Sequence, residues 1–119
     1  MKKLTAREDQ IMQVIWQTEG VFIRDIVAAL PDPKPHYNTV ATLVKILVKK
    51  GFLKSEKFGN TDRYSALIPM EDYRTDHIED IKEKYFGNSL TKMMAHFAKQ
   101  EKLSDKEIEE LIAIIKSKK

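Results

Sequence analysis

The period of the apolar residues changes at Gly51, and few small folds accommodate that change. Before it, Tyr37–Lys50 (YNTVATLVKILVKK) repeats at 3.6, with Val40, Leu43, Val44 and Leu47 forming an i, i+3, i+4, i+7 stripe. After it, Phe52–Phe58 and Arg63–Leu67 alternate roughly every second residue around Gly59-Asn60-Thr61-Asp62. A helix is therefore expected to run straight into a β-hairpin, with Gly51 as the stop between them. Lys49 and Lys50 precede that stop and suit the negative end of the helix dipole. Opposite the apolar stripe lie Asn38, Thr42, Lys45 and Lys49, with Tyr37 and Ala41 beside them. Short hydrogen-bonding groups mixed with lysines suit a helix in a DNA major groove, where the former reach base edges and the latter phosphates. Taken alone, the same face reads as ordinary solvated helix.

The residues upstream shift that balance. Thr5-Ala6-Arg7-Glu8 has the spacing of a capping box, opening a helix that buries Ile11, Met12, Ile15 and Trp16. Glu19-Gly20 is expected to end it, Gly20 as a left-handed cap. Val21-Phe22-Ile23 is β-prone but long enough for only a bridge-like strand, and Arg24–Leu30 follows as a short helix with Ile26, Val27 and Leu30 inward. Pro31, Pro33 and Pro35 then hold a stiff loop before Tyr37. Helix, short strand, helix, helix and hairpin is the order of a winged helix-turn-helix over residues 1–69, whose hairpin carries Lys54, Lys57 and Arg63. Winged helices serve DNA-binding and protein-binding proteins alike, so this order leaves function open.

Pro69 marks a junction to an all-helical segment, residues 70–119. Met70–Phe86 is expected as a helix with Tyr73, His77, Ile78, Ile81 and Tyr85 on its semi-apolar side. Gly87-Asn88 breaks it, and Ser89 caps a second helix, Leu90–Gln100, striped by Leu90, Met93, Met94 and Phe97. Ser104 to Glu107 is another capping box, with Leu103 placed to staple onto Ile108; the helix it opens is striped by Ile108, Leu111, Ile112 and Ile115. A segment this small has little volume in which to hide such wide stripes. Each large apolar side chain removed from water is worth roughly 1.5–3 kcal/mol. A helical dimerisation domain is the expectation, giving a mainly α fold with one small hairpin.

Several functions are argued against. No cysteine is present, which removes disulfides, thiolate metal sites and cysteine nucleophiles. No apolar run nears the roughly 20 residues that span a bilayer, and the start MKKLTARED has no apolar signal core, so a cytoplasmic protein without membrane insertion is expected. His36, His77 and His96 lack metal-ligand spacing, and no metal or cofactor is expected. Asp76, Glu79, Asp80 and Glu83 share one helix face with Lys82 and Lys84 beside it, which reads as a solvated charged face. With no phosphate loop, nucleophile elbow or carboxylate–histidine group, an enzyme is not expected. The net charge of +3 is uneven: residues 1–70 hold 11 Lys and Arg against 7 Asp and Glu, so an anionic partner favours that part.

The chain resembles the penicillinase-repressor family, the BlaI/MecI-type repressors of bacteria. The resemblance rests on LTAREDQIMQVIW in the first helix, NTVATLVKILVKKGFL around the third, RYSAL in the hairpin, and YFGNSLTKMM with KLSDKEIEELIAIIK in the tail. It implies an N-terminal winged helix, a dimer intertwined through its three C-terminal helices, and repression by binding a palindromic double-stranded operator. By position it implies Asn38, Thr39 and Thr42 as groove or phosphate contacts, Thr39 and Thr42 matching the family's Thr-x-x-Thr. Tyr37 stands where proline is common, and Ala41 where relatives carry a longer, often basic residue. Lys45 and Lys49 look like phosphate contacts, with Lys57 and Arg63 of the wing directed to the backbone or minor groove. The copper-responsive branch carries a cysteine cluster that this chain lacks. The β-lactam-responsive branch is cleaved at an Asn–Phe bond in response to a membrane sensor protease; the corresponding pair here is His96-Phe97. The rival reading is a winged-helix protein adaptor, favoured by the modest net charge and by Ala41.

Overall fold

A computed structural model describes residues 3–117. Six helices and one antiparallel hairpin follow in the order α1 (Ala6–Trp16), α2 (Ile23–Ala29), α3 (Tyr37–Lys49), β1 (Leu53–Phe58), β2 (Thr61–Ala66), α4 (Met70–Tyr85), α5 (Leu90–Glu101) and α6 (Asp105–Lys116). The fold is therefore the mainly α, winged-helix architecture expected. The chain divides into two compact units, the first ending at His77 and the second beginning at Ile78.

Local signals account for most boundaries of the first unit. Thr5 and Glu8 form the capping box: the Glu8 N–H donates to Thr5 Oγ1 at 3.2 Å, and the Thr5 N–H to Glu8 Oε1 at 2.8 Å. At the end of α3, Gly51 adopts φ 85°; its N–H donates to the Val48 carbonyl at 3.0 Å and the Phe52 N–H to the Leu47 carbonyl at 3.0 Å. This is a Schellman motif, and Leu47 and Phe52, its hydrophobic pair, are both fully buried. Lys34 finishes α2 from outside, its ammonium donating to the carbonyls of Ala28 at 2.9 Å and Leu30 at 2.7 Å.

Three local expectations need correction. The first helix stops at Trp16, and Gly20 is extended rather than a left-handed cap, with φ 159°. The cause is tertiary: Val21 must pair with Tyr64 through N–H···O bonds of 2.9 and 2.8 Å, which requires a straight approach to the sheet. The second helix starts at Ile23, which is buried, while Val27 is only half-buried. In the hairpin, Thr61 pairs with Phe58 and Asp62 with Lys57, so both belong to β2 and the turn is Gly59-Asn60 alone. Gly59, at φ 62°, takes the first central position of this two-residue turn, where a backbone of positive φ suits the strand twist.

The core of this unit joins Ile11, Met12 and Ile15 of α1 to Ile26, to Val40, Val44 and Leu47 of α3, and to Phe52, Leu53 and Tyr64 of the hairpin. Leu43, expected in the buried stripe, is half-buried. Trp16 packs at the margin and donates its indole N–H to the Ile68 carbonyl at 2.8 Å. Tyr73, expected on a dimer face, instead serves this core. Its ring lies 5.8 Å from Trp16 and 5.6 Å from Phe52, and its hydroxyl accepts the Leu4 N–H at 3.1 Å. A tyrosine so placed is occupied by its own chain.

In the second unit, Gly87 and Asn88 both take left-handed backbone after α4, and Ser89 caps α5 by accepting the Lys92 N–H at 3.1 Å. Ser104 and Glu107 complete the other capping box. Glu79 and Asp80 pair with Lys82 and Lys84 at 2.8 and 3.2 Å, so the acidic run makes a charged outer face. Met93, expected on the dimer face, is turned inward by α5 and is already buried. The other stripe residues remain open. Ile78, Tyr85, Leu90, Met94, Phe97, Ile108, Ile112 and Ile115 are 40–74% exposed, as is Ile114, which the stripe pattern missed. Ile81 and Leu111 are half-buried. Leu90, Met94, Phe97, Leu103, Ile108 and Leu111 line an apolar groove of about 610 Å³.

Candidate nucleic-acid interface

The site is built on α3 because that helix is anchored from both sides. Val40, Val44 and Leu47 are wholly buried, which fixes its rotation and turns Asn38, Thr39, Thr42, Lys45 and Lys49 outward. Its C-terminal end is tied to the start of α1. The Lys50 ammonium donates to both Glu8 oxygens, at 2.8 and 2.9 Å, and the Glu8 side chain is 2% exposed. Burial pushes the Glu8 carboxyl up. The hydrogen bonds from Lys50 and from the Thr5 backbone outweigh that effect, so it is held below the ordinary carboxylate value of 4.5. Lys50 thus serves the fold, whereas Lys45 and Lys49 remain exposed.

Between α3 and the wing lies an open cleft of about 490 Å³. Tyr37, Asn38, Ala41 and Lys45 form its helix side, and Asn60, Thr61, Asp62 and Tyr64 its hairpin side. Phe22, Ile23 and Arg24 close the third side. Ala41 is half-buried here, and its small side chain leaves the space that a longer residue would fill. Tyr37, the first residue of α3, is 53% exposed. Thr39, Thr42 and Lys49 are exposed on the helix but do not line the cleft. The Thr42 hydroxyl donates to the Asn38 carbonyl at 2.9 Å, leaving its oxygen lone pairs as acceptors.

Lys57 and Arg63, two of the three wing cations, behave differently. Lys57 is 80% exposed, with its ammonium 3.9 Å from Asp62, the carboxylate of the cleft. Such an exposed pair holds its partners weakly. Arg63 turns to the opposite face of the hairpin, its guanidinium 5.6 Å over the Phe58 ring and against Gly20, at the place a Cβ there would need. Tyr64 is buried under the cleft. Burial, then the Asp62 charge and Tyr37, push its phenol up, so it is a neutral hydrogen-bonding group at physiological pH.

Arg24, Phe22 and Asp62 escaped the sequence reading. Arg24 looks there like any first-turn cation, and Phe22 like part of a short strand; only folding brings them to α3. Among the described residues, no group of three or more His, Asp or Glu is placed to hold a metal ion, and no helix is long and apolar enough to cross a membrane.

Known proteins share this sequence and shape. The family described as Penicillinase repressor matches residues 4–117. The penicillinase repressor of Staphylococcus aureus is 32% identical over 114 residues, spanning 95% of this chain and 90% of that protein. The methicillin resistance regulatory protein MecI of Staphylococcus aureus strain N315 is 26% identical over 117 residues, covering 98% and 95%. The solution structure of the DNA binding domain of the repressor BlaI superposes with a TM-score of 0.52 at 28% identity, over 61% of this chain and 94% of that one.

Proposed function

Because the chain belongs to the penicillinase repressor family, we propose that it is a DNA-binding transcriptional repressor that meets its operator through α3 and the wing. The observation that carries this reading is the exposed face of Asn38, Thr39, Thr42, Lys45 and Lys49 on a helix whose other face is locked in the core. Asn38 has the chemistry to pair with adenine through its amide, and Thr42 to accept from a base or phosphate donor. Lys45, Lys49 and Lys57 supply charge for the backbone, which makes binding fall steeply with salt. Ala41 contributes shape rather than a hydrogen bond.

Residues 1–69 are proposed as the DNA-binding half and residues 70–119 as the half that pairs two copies. The support is the set of exposed apolar side chains on α4, α5 and α6, too many to leave in water on one small segment. Two α3 helices so paired would enter successive major grooves about 34–36 Å apart, or a multiple of that, on a palindromic site. The resemblance also brings a membrane sensor protease as a partner. Its target bond here would be His96–Phe97, which lies within α5 with both rings near Phe86, at 5.5 and 6.0 Å. Cleavage there requires α5 to unwind locally.

A gel-shift titration with duplex DNA from upstream of the chain's own operon, at physiological salt, tests the central reading. A shifted complex that weakens linearly in log–log plots against salt supports it. Absence of any duplex binding would favour a protein-binding adaptor instead.

A further inference from the structure

Four side chains form a continuous series of ring contacts from α2 to the hairpin. The Arg24 guanidinium lies 5.6 Å over the Phe22 ring, Phe22 meets Phe58 edge-on at 6.1 Å, and Arg63 lies 5.6 Å over Phe58. The sheet places them there. Val21 pairs with Tyr64 on the inner face, so Phe22 falls on the same side as Arg63, and Phe58 lies at the end of β1 beside the turn. Nothing in the core requires this arrangement. Phe58 is 48% exposed and Arg24 is exposed, whereas Phe52 and Tyr64 of the same unit are buried.

Neither arginine has an ion-pair partner among the described residues. The acid next to Arg24, Asp25, accepts from the Phe22 N–H at 3.3 Å, and the acid next to Arg63, Asp62, lies 3.9 Å from Lys57. A cation in the first turn of a helix is also disfavoured by the helix dipole, so Arg24 gains nothing locally from its position. The ring does give something: a guanidinium within cation–π reach of an aromatic face is restrained while its N–H donors, which the ring does not use, remain the fork that grips a phosphate. Arg24 moreover lines the cleft together with Asn38 and Lys45.

We propose that Arg24 is a phosphate contact held ready by Phe22, a positioning residue that the edge contact with Phe58 links to the wing. The inference rests on the DNA-binding reading above and adds a second, sequence-independent grip beside α3. The Phe22 ring confines the Arg24 guanidinium before DNA arrives, so less side-chain freedom is lost on binding.

The test measures binding of the full chain to two duplexes, its own upstream DNA and a mixed-sequence duplex of about three helical turns, over a salt series that starts low. Removing one phosphate contact makes the log K versus log salt slope shallower by about 0.9. Arg24→Gln is expected to do this and to weaken both duplexes by the same factor. Phe22→Leu should flatten the slope by a smaller amount and Phe22→Tyr should preserve it, both with unchanged melting. Phe22→Leu added to Arg24→Gln should flatten it no further.

Lys45→Ala, run beside these, separates the two failures. If Lys45→Ala flattens the slope and Arg24→Gln does not, the DNA reading stands and the stack has no part in it. Equal effects of Phe22→Leu with and without Arg24 would end the positioning role of Phe22. If the unaltered chain binds neither duplex at low salt, both readings fall together.

Discussion

At the scale of single residues, the division of labour between neighbouring lysines is the main result. Periodicity sets Lys45 and Lys49 on the polar face of α3 and says nothing of a partner for Lys50, yet Lys50 is committed to a buried carboxylate while the other two face solvent. Glu8→Gln keeps the capping oxygen and removes the charge, which should cost roughly 1–3 kcal/mol. A fully buried pair would cost more, but the Lys50 side chain is 22% exposed and keeps some water. The pH dependence has a definite sign. The Glu8 carboxyl is held below 4.5, so its contribution is complete above that value and disappears as pH falls through the lower folded value. Urea unfolding should show the wild-type advantage over Glu8→Gln constant at neutral pH and shrinking in acid; an advantage that grows in acid contradicts the assignment. On the reading face, Asn38→Ala is expected to cost about 1–3 kcal/mol on the operator and little on random duplex. Equal losses on both in a competition assay would remove Asn38 from base reading.

At the scale of elements, the change of period at Gly51 is implemented by one left-handed residue. A Cβ at Gly51 would touch nothing within 4 Å, so the φ of 85° alone opposes a side chain there. Gly51→Ala should therefore lower stability by roughly 1–2 kcal/mol without altering the core. Chemical denaturation decides it, and a change within a few tenths would mean that the helix ends by some other means. Two of the elements whose edges differ from the sequence expectation, the end of α1 and the start of β2, share a cause. Both are set by strand pairing: Val21 meets Tyr64 from 43 residues away, beyond the reach of local spacing, and Thr61 joins β2 because the tight turn brings it opposite Phe58. Capping boxes at Thr5 and Ser104 were legible because both ends of each lie within one turn.

At the scale of the whole molecule, the proposed pairing of two copies rests on the exposed apolar faces of the second unit. Phe97→Glu, at a position 47% exposed, places a charge on that face with little disturbance to the unit itself. If two copies pair there, sedimentation at micromolar concentration should show a dimer for the unaltered chain and a monomer for Phe97→Glu. Operator affinity should fall in parallel, because each half-site would then be bound separately. A monomer in both cases removes the pairing role of residues 70–119. Met93 and Tyr73 narrow where such a face can lie, since each is engaged by its own chain.

The order of elements, the caps at Thr5, Ser89 and Ser104, the stop at Gly51 and the outward face of α3 were all determined by the amino-acid sequence, because each depends on residues within a turn or two of one another. The partnerships that shape the site were decided by tertiary structure alone. Glu8 meets Lys50 across 42 residues, Trp16 reaches the Ile68 carbonyl across 52, and Phe22 finds Phe58 only when Val21 joins the sheet. Local periodicity says which face of a helix avoids water. It carries no information about which distant side chain completes a charge or a ring stack, since that depends on how separately formed elements pack.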